Sequence, residues 1–358
     1  MKHVMEPRTA LDAATTSTTS TTSTAPSTPT AAGASPWPVT LEDVRRARER
    51  LAPHLPPTPL RHYAELDAAL GGGVRVLVKH ENHQPTNAFK ARNALSALTA
   101  FTPEQRARGA CAATRGNYGL GLAHAGQLLG IPIVVCVPHG NNPEKNAGMR
   151  ALGAEVIEAG RDYDESTEVA ERLVGERGLT LVHSTNDRDV IAGAATMWLE
   201  VLEQAPDVDA AVLAVGGGSQ AVGALTVLRA LRPGATVFGV QAEGAPAGQA
   251  SWKAGRIVTT DSANTIADGL ATRTAYAMTF PALCAGLADF VTVSEAEIAE
   301  AMRTLLRTTH TLVEPAGAVG LAGLGRVRDR LAGRTVAVVI SGGNVDRETL
   351  RRVVAGEV

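Results

Sequence analysis

A chain of 358 residues, 44% hydrophobic and 20% charged, has the composition of an ordinary globular protein and is long enough for two domains around one cleft. Its formal net charge of −2 and its 3% aromatic content give no basis for binding nucleic acid or an anionic membrane surface. No apolar run reaches the roughly 18 residues of a membrane span. Cys111, Cys136 and Cys284 are far apart and lack CxxC spacing, so they are read as free thiols in a reducing cytoplasm.

Residues 1–37 form the first segment. From Thr9 to Pro36 it is dominated by Thr, Ser, Ala and Pro. It has no apolar stretch for a secretory signal and too little apolar surface to offset the entropy of ordering, which predicts a disordered tail. Leu41 to Pro53 reads as a helix with Glu42 and Asp43 in its first turn, and Leu55 to Pro59 as a Pro-rich extended stretch. Val74 to Glu81 is a strand. The loop PTNAFKARNA (Pro85 to Ala94) then opens a helix running to Phe101. Short apolar strands and helices alternate from there: strands at Ala110–Thr114, Ile131–Val137, Ala154–Ala159 and Leu179–Ser184, helices at 117–129, 142–153 and 164–177. Continuous apolar runs such as IPIVVCV suit parallel strands covered on both faces. A helix near 190–204, the strand Ala210–Val215, another helix, and the strands Thr236–Glu243 and Thr335–Gly343 complete the pattern. Such βαβ alternation predicts an α/β fold with mainly parallel sheets. The expected division is a large domain of 38–108 and 187–358, with 109–186 inserted as a small one. A cleft between the two is the default ligand site.

Five short segments carry chemistry. Lys90 lies behind an aromatic residue and between small and polar neighbours. It is either a solvated surface lysine or the amine of a Schiff base with an aldehyde cofactor. The sequence Gly216-Gly217-Gly218-Ser219 follows a strand and precedes a helix. It is a tight turn, or a cradle whose amides and helix end hold a phosphate. It lacks the Lys-Ser/Thr end of a P-loop, which disfavours a nucleoside triphosphate. Ser341 closes a buried strand as a cap, or offers its hydroxyl to a heteroaromatic nitrogen. Asn117 opens a helix as a cap, or holds a phenolate oxygen. Glu314, in TLVEPAGA, is costly to bury without a partner and reads as a structural acid satisfied by backbone amides. Together these are the fittings of pyridoxal 5'-phosphate.

In their order, from about residue 40 to 350, these motifs resemble the threonine dehydratase and serine racemase branch of the pyridoxal-phosphate enzymes with the tryptophan synthase β-like fold (fold type II). The resemblance implies two α/β domains with the cofactor between them. It makes Lys90 the Schiff-base lysine, with Phe89 beside the ring and Asn117 on the ring hydroxyl. Gly216, Gly217, Gly218, Ser219 and Gln220 would hold the phosphate. Ser341 would face the pyridine nitrogen, Glu314 would belong to the cofactor site, and Thr114, Arg115, Gly116, Asn117 and Tyr118 would bind the substrate carboxylate. TIADGLAT (Thr265 to Thr272) resembles the family's active-site edge. The implied activity is an ammonia-lyase reaction: β-elimination from a 3-hydroxy amino acid of the threonine or serine type, in a homodimer. The sequence Lys90-Ala91-Arg92 matches dehydratases, where β-replacement synthases carry KDR. Only a short helix follows SGGNVD, so feedback control by isoleucine is not expected.

Three departures stand out. Asn87, Ala88 and Asn93 replace the family's glycine–serine before Phe and glycine after Arg, and are expected to change the pocket wall or the loop. Arg115 stands where racemases carry a serine base; a guanidinium is permanently protonated and cannot take a Cα proton. It could pair with the substrate's own carboxylate or a second one, which adds 3-hydroxyaspartate to the substrates to consider. Gln241 and Ala247 replace the acidic residues of the family's divalent-ion site, so no Mg²⁺ is expected there. Competing readings are a β-replacement synthase, a dehydratase of aryl-serines, and an inactive cofactor-binding scaffold.

Overall fold

The structure, a computed structural model, describes residues 35–358. The tail expected over 1–37 lies outside the described residues as far as position 34. At its end the chain is already anchored: Trp37 packs against the core, and the Arg229 guanidinium lies 4.4 Å from its ring centroid.

In chain order the elements are α1 (Leu41–Leu51), β1 (Leu60–His62), α2 (Ala64–Leu70), β2 (Arg75–His80), α3 (Lys90–Thr99), α4 (Pro103–Arg108), β3 (Ala110–Ala113), α5 (Asn117–Leu129), β4 (Ile133–Val137), α6 (Pro143–Ala151), β5 (Glu155–Glu158), α7 (Tyr163–Arg177) and β6 (Thr180–Leu181). Then come α8 (Arg188–Gln204), β7 (Ala210–Ala214), α9 (Ser219–Leu231), β8 (Thr236–Ala242), α10 (Ala247–Ala254), α11 (Phe280–Gly286), β9 (Asp289–Val293), α12 (Glu295–Thr309), α13 (Pro315–Val327), β10 (Thr335–Ile340) and α14 (Arg347–Val354).

The strands form two sheets. One has six strands in the order β1-β2-β10-β7-β8-β9, and the other four in the order β5-β4-β3-β6. Every pairing is parallel except that of β1 with β2. The expected α/β class with mainly parallel sheets is therefore what the chain adopts. The apolar runs explain it: β4, β7 and most of β10 are buried along their length, and only helices on both faces can cover such strands. One face of the large sheet packs on α12 and α13, the other on α8 and α9. The four-stranded sheet is covered by α3, α5 and α6 on one side and α7 on the other.

Two differences from the sequence reading have local causes. The strand expected over Leu179–Ser184 is only Thr180–Leu181 long, because the Thr185 and Asn186 amides donate to His183 Nδ1 at 2.9 and 2.8 Å and turn the chain away. Strands β1 and β9 and helices α2, α4, α10, α11, α12 and α13 were not read from the sequence. DFVTV buries only Phe290 and Val293 and does not alternate, which leaves no period in five residues to separate it from a loop.

Candidate active site

The loops that leave β3, β7 and β10 at their carboxyl ends converge on one cavity, where open parallel sheets place ligands. The lysine loop is fixed to the exit of β10 by backbone pairing. Phe89 N donates to the Ser341 carbonyl at 2.9 Å and Gly343 N to the Asn87 carbonyl at 2.9 Å, with a bridge between Ala88 and Gly342. This pairing puts Lys90 at the first turn of α3, beside Ser341.

Lys90 is half-buried, and its Nζ makes one hydrogen bond, 3.4 Å to the Ser184 carbonyl. It lies 4.9 Å from the Phe89 ring centroid and 5.8 Å from that of Tyr118. Burial without a counter-charge lowers its pKa to about 8, since desolvation disfavours the ammonium form. A neutral amine is thus within reach near physiological pH.

Across the cavity, Gly218 takes φ +97°, a left-handed conformation that suits glycine. It turns the chain into α9, whose first amides lack intrahelical partners and point their dipole at the cavity. Asn93 supports this turn from α3, with Nδ2 3.3 Å from Ser219 Oγ. Of the two asparagines expected to alter the site, Asn93 is buried behind the turn and Asn87 keeps a left-handed φ of +54°. Asn87 Nδ2 also donates to Asn344 Oδ1 at 3.3 Å.

At two positions the structural alternative offered by the sequence falls away. Asn117 is not a helix cap; it is the first residue of α5, after Gly116. Its Nδ2 donates to Glu314 Oε1 at 2.6 Å, and its Oδ1 accepts from Asn344 Nδ2 at 2.9 Å. Glu314 is accordingly satisfied by a side-chain amide and not by backbone amides, and its Oε2 has no partner. Burial raises its pKa to about 7 despite the Lys145 charge nearby.

Phe89, Lys90, Thr114, Arg115, Gly116, Asn117, Tyr118, Gly216, Gly217, Gly218, Ser219, Gln220, Glu314 and Ser341 all line this one cavity. Thr114 shapes its own loop: Oγ1 accepts from the Gly116 and Gly119 amides at 3.0 and 3.3 Å. Gln241, where an acidic residue was missing, accepts from the Gln249 amide at 2.9 Å through Oε1.

Sequence reasoning missed Lys145, Tyr163 and Tyr276. Lys145 on α6 reaches Asp268 Oδ2 at 2.6 Å. Three of the chain's four tyrosines line the cavity. That scarcity was a usable signal: tyrosines so rare that still fall beside the motif segments are candidates for a wall. Tyr163 Oη lies 3.1 Å from Ser184 Oγ, and Tyr276 packs edge-on to His183 at 5.5 Å between centroids.

Buried side-chain atoms of Arg115, Tyr118, Gln220, Thr272 and Glu314 line the cavity without any partner in the protein. Such a concentration is expected where a polar ligand completes the bonding. A desolvated lysine, a glycine turn at a helix N-terminus and unsatisfied donors fit an aldehyde cofactor bearing a phosphate.

Comparison with known proteins agrees with this geometry. The chain belongs to the family of pyridoxal-phosphate dependent enzymes, whose sequence profile matches residues 51–342. Within that family it is 37% identical over 316 residues to the L-threonine ammonia-lyase of Thermotoga maritima, covering 88% of this chain and 78% of that protein. It is 36% identical over 314 residues to an L-threo-3-hydroxyaspartate ammonia-lyase of Pseudomonas sp, covering 88% and 98%. The crystal structure of a threonine deaminase superposes with a TM-score of 0.81 at 39% identity, over 86% of this chain and 99% of that one. That of maize serine racemase superposes with a TM-score of 0.84 at 29% identity, over 90% and 98%.

Proposed function

We propose that this protein is an ammonia-lyase that eliminates water from a 3-hydroxy amino acid, giving a 2-oxo acid and ammonia. The observation that carries the reading is Lys90, a desolvated amine without a counter-charge opposite a glycine turn. The relatives named as ammonia-lyases support it.

Bound pyridoxal phosphate would supply the electron sink that loss of a Cα proton requires. Lys90 and the amides of Gly216–Gln220 would hold it, with Asn117 and Ser341 beside the ring. The chain's own groups supply the rest. Lys90, near neutrality, is the base for the Cα proton. The first amides of α5, at Asn117 and Tyr118, bind the α-carboxylate. The Cβ–O bond breaks as the 3-hydroxyl takes up a proton, which restores the one passed from Cα to Lys90, and leaves as water. The released enamine tautomerises and hydrolyses to the 2-oxo acid and ammonia. Arg115 cannot serve as a second base, which favours elimination over racemisation.

In this reading the cavity lies where the unit 109–186 faces the unit of 38–108 and 187–358, because both contribute its lining. The family resemblance also supports a homodimer in the cytoplasm; sedimentation of the purified chain tests the first. Among the described residues no helix is long and apolar enough to cross a membrane.

The test is an absorbance scan of purified protein with pyridoxal phosphate, followed by ammonia and 2-oxo acid release from a panel of hydroxy amino acids. The wild type is expected to absorb near roughly 410–420 nm, the band of a lysine-bound cofactor, and to release both products. Lys90→Ala is expected to lose the band and the turnover together. A Lys90→Ala protein that kept the band would remove Lys90 from its role.

A further inference from the structure

Arg115 stands at the throat between two cavities. It lines the buried site, and it lines a polar cleft bordered by His139, Asn142, Arg161 and Asp346. It forms no hydrogen bond or ion pair with any described residue, and its Nε is shielded from solvent without a partner. A guanidinium does not relieve this by losing its proton, so a partly buried one without an anion is an unfinished interaction.

The protein's own carboxylates do not finish it. Three acidic side chains line the two cavities: Asp268, Glu314 and Asp346. Asp268 is held by Lys145 at 2.6 Å. Glu314 accepts from Asn117 at 2.6 Å, and burial pushes it toward its neutral form. Asp346 caps α14, accepting from Thr349 N and Oγ1, each at 2.8 Å. The other cations are also accounted for: Lys145 has Asp268, Arg161 pairs with Glu165, and Lys90 is the amine of the proposed reaction.

The α-carboxylate of an amino acid already has a receptor. Thr114 Oγ1 ties down the Gly116 and Gly119 amides. This leaves the first-turn amides of Asn117 and Tyr118 free at the positive end of a 13-residue helix. Arg115 is therefore a second anion receptor two residues upstream of Asn117, on the cleft side.

We propose that Arg115 binds the distal carboxylate of the substrate, so that the preferred substrate is a dicarboxylic 3-hydroxy amino acid of the 3-hydroxyaspartate type. This rests on the ammonia-lyase reading and narrows it to a substrate class. The planar fork of a guanidinium matches a carboxylate in two parallel hydrogen bonds, which neither the hydroxyl nor the methyl of threonine offers.

The test compares kcat/KM for L-threo-3-hydroxyaspartate and L-threonine in the wild-type holoenzyme, Arg115→Lys and Arg115→Gln. The wild type is expected to favour the dicarboxylate. Arg115→Gln is expected to lower the ratio of the two constants by about 10- to 100-fold, the worth of a charge-assisted pair, and Arg115→Lys to fall between. An equal drop for both substrates would assign Arg115 to the α-carboxylate and overturn the proposal, as would a wild type that prefers threonine. Calorimetric binding of succinate against butyrate separates this inference from the reaction itself. Succinate is expected to bind about tenfold more tightly and to lose that advantage in Arg115→Gln. If succinate binds no better than butyrate, the inference fails whether or not the protein is a lyase. If succinate binds as expected but no hydroxy amino acid yields product, the dicarboxylate receptor stands and the lyase reading falls.

Discussion

Glu314 is a carboxyl group whose protonation the fold controls. Burial raises its pKa from 4.5 to about 7, with one oxygen bonded to Asn117 and the other unpartnered. Between those two values the folded chain binds more protons at this site than the unfolded chain, so stability falls as pH rises. The stabilisation is complete below about pH 4.5 and is lost as pH passes through 7. Glu314→Gln removes that titration. The wild type should lose roughly 2–3 kcal/mol relative to the variant between about pH 5 and 8. Urea unfolding at the two pH values in one cofactor state measures it, and parallel slopes for both proteins would contradict it. The residue's importance was legible in the sequence, because a charge in an apolar run demands a partner. Its partner was not, since Asn117 is far away in the chain. Lys90, Arg115 and the glycine turn were legible because each carries its chemistry within a few contiguous residues. Lys145, Tyr163 and Tyr276 reach the cavity only through the packing of α6, α7 and the segment before α11.

At the scale of elements, α3 carries the lysine and is held on two sides. A Cβ on Gly121 of α5 would lie 2.7 Å from the Lys90 carbonyl oxygen, and one on Gly193 of α8 would lie 2.5 Å from that of Arg92. Both helices thus touch the backbone of α3 directly. Beneath them runs a buried ionic network. Arg92 bonds Glu81 at 2.8 Å and Glu200 at 2.7 Å, Lys79 bonds Glu200 at 2.6 Å, and Thr58 donates to Glu81 at 2.6 Å. It joins β2, α3, α8 and the segment before β1. Removing one member of such a network leaves the others charged and unpaired, at a cost of about 3–5 kcal/mol. Arg92→Leu should therefore lower the denaturation midpoint by that equivalent and loosen Lys90 with it; an unchanged midpoint would show the network to be dispensable. Periodicity revealed the buried parallel strands because burial on both faces leaves an unbroken apolar run. It overextended β6 and passed over β9, both of them edge strands, where the pattern thins and side-chain turns decide where pairing stops.

For the whole molecule, one ion pair links α6 to the turn at Asp268 across the mouth of the cavity. Asp268 is partly exposed, so the pair contributes about 1 kcal/mol or less to stability. Asp268→Asn should lower Tm by only about 2 °C while raising amide exchange in α6; unchanged exchange there would mean the mouth is held shut by packing alone. The placement of β10 reaches further. It is the last strand in the chain, yet it lies between β2 and β7 at the middle of the six-stranded sheet, and residues 341–343 just beyond it clasp the lysine loop. A chain still emerging from the ribosome has β2 and β7 with open edges and Lys90 on an unfastened loop. The site cannot take shape until β10 and residues 341–343 have emerged, so cofactor loading follows the synthesis of that strand. A message truncated before Thr335 yields not a weaker enzyme but a product with two unpaired strand edges, fit for aggregation or degradation.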